Sequence, residues 1–170
     1  MSKIQEFLKN QEKSVMSIVE GKTIIDYLNT NAEESPDYPA LNTPINNEYT
    51  GWDSTSWSEY QETVHNLASG LIDIGLHAED NAFIVANNVK EHFISDLGIM
   101  HAGAVPSTIY KQLKSGQIEY ISNLLEAKVA FVGDAELFTE VNKAKDNLSL
   151  IHISEPTRPL YISYAVFCLK

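Results

Sequence analysis

Three short runs rich in β-branched and aromatic residues, each followed by a helical pattern, start 22–24 residues apart between positions 83 and 141. The first is Phe83-Ile84-Val85-Ala86, followed by a helix using Phe93, Leu97 and Met100. The second covers residues 105–110, followed by a helix after Ser115 using Ile118, Ile121, Leu124 and Leu125. The third is Val129-Ala130-Phe131-Val132, followed by a helix using Leu137, Phe138 and Val141. Parallel strands cannot be joined by a tight hairpin. A helix long enough to carry the chain back makes the connection, and such crossovers are right-handed. The alternation therefore predicts an α/β fold with a parallel sheet of βαβ units. A fold of this kind hosts many activities and names none of them.

Upstream, local signals mark the element ends. Thr23 and Asp26 have the spacing of a capping box, and Ile24, Ile25, Tyr27 and Leu28 follow, predicting a helix over residues 24–34 that stops before Ser35-Pro36. A strand is expected over residues 39–42 and a polar turn region over 43–55. Ser56 and Glu59 form a second capping box. Tyr60, Val64, Leu67, Ala68, Leu71 and Ile72 then recur at three- and four-residue steps, one apolar helix face. Gly75 suits the left-handed residue that ends such a helix, with Leu76 folding back. Residues 1–22 read as a weakly amphipathic leader in which Ile4, Phe7 and Leu8 share a face.

Charge and composition narrow the partners. The net charge is -11, so nucleic-acid phosphates and a purely electrostatic membrane anchor are disfavoured. The single cysteine, Cys168, supports neither a disulfide framework nor a cysteine-based zinc site, in keeping with a cytoplasmic location. The polar start is no secretory signal. The longest apolar-leaning stretch, residues 97–110, is interrupted by Pro106 and too short for a transmembrane segment.

From Leu148 the chain changes character. Residues 148–158 resemble the in-frame translation, codon by codon, of the mosaic end and primer of a transposase-type sequencing adapter. On the same reading a short index would fill residues 159–161, and flow-cell sequence would give 162–169. The expected organisation is a leader (1–22), part of a larger α/β domain (23–147) and a non-native, adapter-derived tail (148–170). On this reading His152, Cys168 and the sequon Asn147-Leu148-Ser149 carry no function, and the chain end is a sequencing boundary.

A family resemblance covers about residues 23–146. Its parts are the apolar helix opening at Thr23, the strand Pro39-Ala40-Leu41 and the helix start Thr55-Ser56-Trp57-Ser58-Glu59-Tyr60. Next come Leu67-Ala68-Ser69-Gly70-Leu71 with Gly75-Leu76, and a strand ending in Asn at 87–88. The segment from His101 through Ala104, Val105 and Pro106 to Ile109-Tyr110 comes after these, then Gln117-Ile118 to Ile121, and Ala127-Lys128-Val129 to Val132. In this order the chain resembles the N-terminal region of AMP-forming acyl-CoA synthetases of the adenylate-forming superfamily. The approach Tyr49-Thr50-Gly51-Trp52 leans toward long-chain fatty acid–CoA ligases. It departs from the family pattern in three places. Glu79-Asp80-Asn81 stands where Gly-Asp-Arg is usual, Val89-Lys90-Glu91-His92 where Arg-Pro-Glu-Trp is usual, and Lys111-Gln112-Leu113 where Pro-Thr-Leu is usual.

The resemblance implies activation of a fatty acid with ATP and Mg2+ to an acyl-adenylate, then transfer to coenzyme A, with peripheral membrane contact left open for the whole enzyme. That chemistry needs a Gly/Ser/Thr-rich phosphate loop and a lysine, and no such loop occurs here. No catalytic, cofactor-binding or metal-binding residue is therefore assigned, and the chain itself is expected to be inactive and marginally stable. Two alternatives remain: a relative acting on aryl, short-chain or amino acids, and a stand-alone α/β binding module. Local clusters have simpler accounts. Glu91, His92 and Asp96 share a helix face but lack a second histidine for metal, so they read as a solvated face. His101 reads as a packed histidine, and Asp73 and His77 as charges flanking a helix end.

Overall fold

A computed structural model describes residues 3–45, 51–148 and 152–154. The leader forms helix α1 (Lys3–Val19), tied to the next helix by the Tyr27 hydroxyl, which donates to the Ile18 carbonyl at 3.0 Å. That next helix, α2 (Ile24–Glu34), has the bounds its caps predict. Thr23 Oγ1 accepts the Asp26 N–H at 3.3 Å, and the Asp26 carboxylate accepts the Thr23 N–H at 2.6 Å. The Thr23 amide, then its hydroxyl, holds the Asp26 carboxyl below its ordinary range.

Strands β1 (Pro39–Pro44) and β2 (Trp52–Ser56) pair antiparallel, with a register irregularity between Pro39 and Leu41. The strand expected over 39–42 thus runs on to Pro44, and part of the expected turn region is a strand. Main-chain bonding to β1 and side-chain bonding, such as Ser54 Oγ to Asn42 Oδ1 at 2.6 Å, hold β2 without an apolar alternation. Helix α3 (Trp57–Asp73) opens on the predicted reciprocal cap. Ser56 Oγ accepts the Glu59 N–H at 3.2 Å and Glu59 returns the bond at 2.8 Å.

The remaining elements are β3 (Asn81–Val85), α4 (Lys90–His101), β4 (Val105–Thr108), α5 (Ser115–Leu124), β5 (Val129–Val132), α6 (Ala135–Ala144), a 3-10 turn (Lys145–Asn147) and β6 (His152–Ser154). Strands β4-β3-β5-β6 form one parallel sheet in that order. This is the predicted parallel βαβ sheet. Strand β6 comes from the segment expected to be foreign. Its pairing runs through backbone groups, which any sequence supplies.

Alternation along the strands splits the core. Ala82, Ile84, Val129 and Phe131 face one side with Ala68, Leu71 and Ile99, whereas Phe83, Val85, Ala130 and Val132 face the other with Ile118, Leu137 and Val141. Helices α3 and α4 thus cover one face, and α5 and α6 the other. A third cluster of Leu28, Tyr60, Val64 and Ile94 joins α2 and β1 to this body. Burial, then Asp96, pushes the Tyr60 hydroxyl up to about 12, and it donates to the Phe93 carbonyl at 3.3 Å.

Three expected core positions are corrected. Ile72, Phe93 and Leu124 are 55%, 47% and 69% exposed. On α4 the buried residues are Ile94, Ser95, Gly98 and Ile99, one position round from the expected stripe. The helix is wedged between α3 and the sheet, and a Cβ at Gly98 would lie 2.6 Å from Leu67 Cδ2. Close contact with α3, not apolar spacing, sets its rotation.

Helices α3, α4 and α5 end in the same lock. The N–H groups of Leu76, Ala104 and Ala127 reach back to the carbonyls of Leu71, Ile99 and Ser122, and those of Gly75, Gly103 and Glu126 to Ile72, Met100 and Asn123. The left-handed residues are Gly75 (φ +93), Gly103 (φ +81) and Glu126 (φ +51). Glu79, standing where the family pattern has glycine, also sits at φ +70. A side chain disfavours this conformation by about 1–2 kcal/mol, partly offset by the entropy a glycine loses on folding. Glu126→Gly is therefore expected to raise stability by about 0.5–1 kcal/mol, read as a higher urea midpoint at unchanged slope.

Candidate functional site

In the sheet order β4-β3-β5, the chain leaves β3 for one neighbour and later returns to its other side. The loop after β3 leads to α4 on one face, and the loop after β5 leads to α6 on the other. They part at the carboxyl ends of the strands, the end at which open α/β sheets bind ligands. Their approach is tight. A Cβ at Gly133 would lie 2.7 Å from both Cα and Cβ of Ala86, so only glycine fits.

A single carboxamide joins the three loops at this rim. Asn87, after β3, donates through Nδ2 to Asp134 Oδ2 at 3.2 Å and accepts from Lys111 Nζ at 2.5 Å through Oδ1. Asp134, after β5, also accepts the Leu137 N–H at 2.8 Å and so caps α6. Lys111 lies beyond β4, at one of the departures from the family pattern. Beside this cluster His92 Nε2 lies 3.1 Å from Thr108 Oγ1, and Lys90 Nζ is 2.8 Å from Asp53.

The residues singled out by sequence do not converge. His92 belongs to the rim. Asp96 is partly buried on α4, its carboxyl pushed up by burial and drawn back by His92. The Glu91 carbonyl accepts the Ser95 hydroxyl at 2.7 Å. Among the described residues no group of three or more His, Cys, Asp or Glu is arranged to hold a metal ion. His77 lies 3.5 Å from Asp80, whose carboxylate accepts the His77 N–H at 2.8 Å, and Asp73 ends α3. His152 lies in β6, and Cys168 falls outside the described residues. The sequence assigns no site role to the rim residues Asn87, Lys111 and Asp134. The available signal was polar residues directly after parallel strands.

His101, expected to be packed, is exposed, with its ring stacked on His65 across the α3–α4 contact, centroids 4.4 Å apart and planes 16° from parallel. Burial, then His65, holds its imidazole below the ordinary 6.5. The unfolded chain therefore binds more protons just below pH 6.5. The contribution of neutral His101 is complete above that value and falls as pH drops through it toward the lower folded value, a small effect because the ring is exposed and screened. Urea midpoints of the unaltered chain should fall more between pH 7.5 and 5.5 than those of His101→Gln.

The loops at the rim read Ala86-Asn87-Asn88-Val89 after β3, Ile109-Tyr110-Lys111-Gln112-Leu113-Lys114 after β4 and Gly133-Asp134 after β5. None offers a run of glycine, serine and threonine amides with a free lysine, and Lys111 is engaged by Asn87. These residues do not fit a nucleoside triphosphate.

Residues 28–163 match the family described as AMP-binding enzyme. This chain belongs to the AMP-binding enzyme family. As a member it is 28% identical over 141 residues to the Long-chain-fatty-acid--CoA ligase heimdall of Drosophila melanogaster, spanning 82% of this chain and 21% of that protein. It is 28% identical over 118 residues to the vibriobactin-specific 2,3-dihydroxybenzoate-AMP ligase of Vibrio cholerae, spanning 68% of this chain and 20% of that protein. The crystal structure of the anthranilate CoA ligase AuaEII with anthranoyl-AMP shares the fold, with TM-score 0.71 and 22% identity over 82% of this chain and 26% of that one. This AMP-binding family member thus spans about a fifth of these two curated relatives. Among its described residues no helix is long and apolar enough to cross a membrane.

Proposed function

We propose that this chain is the amino-terminal scaffold of an AMP-forming long-chain fatty acid–CoA ligase, cytoplasmic, acting on a fatty acid, ATP and coenzyme A. In the whole enzyme the fatty acid reacts with ATP, its phosphates held by Mg2+, to give an acyl-adenylate and pyrophosphate. Coenzyme A then displaces AMP. The observation that carries this reading is the likeness to the Drosophila long-chain ligase across 82% of this chain. The motif order from Thr23 to Val132 supports it. The contribution of these residues is positional: the sheet carries its loops, and Asn87 ties three of them at the carboxyl rim.

The purified chain is expected to show no fatty-acid-dependent exchange of pyrophosphate into ATP, because no phosphate-cradling loop is present in it. Exchange above a boiled control would overturn that. The reading frame continued past Asn147 in clean DNA should reach such a loop, and its product should exchange with long-chain acids. A preference for 2,3-dihydroxybenzoate or anthranilate would favour the aryl reading, which the Vibrio cholerae relative supports. The same DNA decides the origin of residues 148–170. Codons spelling the adapter support a foreign tail, synonymous codons refute it, and a genuine stop near residue 147 favours a stand-alone module.

A further inference from the structure

We propose that helix α1 is an interfacial anchor that lays its apolar stripe into a zwitterionic lipid surface. The helical period sets Ile4, Val15, Ile18 and Val19 within about 100° of one another, and all four are exposed. Every described side chain of α1 is exposed, and none of these joins the three core clusters. The body thus leaves the stripe uncovered. Helix α1 meets α2 through a turn at Gly21, which takes φ +73, and through the Tyr27 hydroxyl on the Ile18 carbonyl. At the same joint the Lys22 ammonium lies 5.4 Å from the centre of the Tyr27 ring. A helix held at one end is free to lie flat on a plane with its stripe turned away from the body. The inference concerns no reacting group and stands whichever acid the whole enzyme activates.

Charge and length select the occupant. In this segment Lys3, Lys9 and Lys13 are matched by Glu6, Glu12 and Glu20, so it offers no net positive charge. The chain as a whole carries -11. An anionic membrane would repel it, whereas a zwitterionic surface needs only apolar burial beneath a polar flank of both signs. A second copy of α1 is a poorer occupant. Its 17 residues make about 25 Å of helix, or about two and a half heptads, short of the three or four that sustain a coiled coil. Gln11 also falls in the middle of the stripe, where a helix pair would bury its amide in the seam. At a lipid surface the same amide keeps insertion shallow, near the headgroup boundary, and the binding reversible.

Flotation of the full chain with small sonicated phosphatidylcholine vesicles tests this. The unaltered chain should float, and about 0.5 M salt should not release it. Far-ultraviolet circular dichroism should show helix content rising as vesicles are added, because a lone helix of this length is marginal in water. Ile18→Glu and Ser17→Glu add the same charge, one within the stripe and one on the opposite side of the helix. Ile18→Glu should lower the partition coefficient at least about tenfold, and Ser17→Glu less than about twofold. Urea midpoints of both should match the unaltered chain, since neither side chain joins a core cluster. Equal loss in the two variants, no flotation of the unaltered chain, or flotation only with phosphatidylserine present would overturn the proposal. So would a lipid-free dimer, seen by light scattering, that Ile18→Glu dissolves, because that result assigns the stripe to a second copy.

Discussion

Phe83→Ala is expected to abolish the cooperative fold or bring it to the edge of unfolding at 25 °C. Phe83 has no solvent exposure, lies in a strand paired on both sides, and meets Val85, Ile118, Ala130 and Val141 in one core. Truncating a buried phenylalanine costs about 3–5 kcal/mol, the lost transfer energy plus the cavity left behind. Small domains hold only about 5–15 kcal/mol of net stability in total. Here the loss falls on the strand that every other part of the parallel sheet is built around. Urea denaturation followed by near-ultraviolet circular dichroism should show the midpoint falling by more than about 1 M, or no native baseline. A loss below about 1 kcal/mol would show that the two-faced core is not formed in solution.

Gly133→Val is expected to be nearly as damaging, for the opposite reason. At Gly133 there is too little room: the new Cβ would lie 2.7 Å from the Ala86 Cα, a backbone atom that cannot swing aside. The Gly133 N–H also donates to the Val85 carbonyl at 2.8 Å, so the loop cannot retreat without breaking that bond. Overpacking of this kind costs about 1–3 kcal/mol for an added methyl, and valine adds a branched group to it. The graded expectation is that Gly133→Ala loses about 1–3 kcal/mol and Gly133→Val more, in the same urea assay. The rim should report the strain directly, because Asn87 and Asp134 stand immediately beyond the two touching positions. In Gly133→Ala the Asn87 side-chain amide resonances should shift, while those of Asn29, bonded to Gln61 far along the chain, stay in place. Unchanged midpoints in both variants would mean that the loops after β3 and β5 do not meet.

What could be read from sequence was what local chemistry decides. The caps at Thr23 and Ser56, the stop at Gly75 and the run 129–132 depend on residues a few positions apart, and the fold reproduces them. Strand β2 escaped because its stabilising partner is β1, and its own side chains after Trp52 are polar and show no apolar alternation. The rotation of α4 escaped because Gly98, with no side chain to register in an apolar pattern, is where α3 comes closest. The rim escaped for a topological reason. Asn87, Lys111 and Asp134 are 24 and 23 residues apart in the chain, and only the sheet order brings them within hydrogen-bonding reach. Their step matches the strand spacing, but which polar residue past each strand meets which is set by the sheet order.

The repeated helix ends have a consequence for how such a chain can vary. In α3, α4 and α5 the residue just past the left-handed turn, Leu76, Ala104 or Ala127, is itself buried in the core. Each helix is therefore clamped to the body at the very joint that feeds the next strand. Inserting or deleting one residue there would drag a core side chain out of place. At the opposite end of the sheet the loops are held by the Gly133 N–H on Val85, the Gly133–Ala86 contact and the Asn87 tie, but no helix ends there in this lock. Natural sequence drift should thus accumulate length changes at one pole of the sheet and spare the other, leaving the pole with freedom to diversify as the one where new specificities arise.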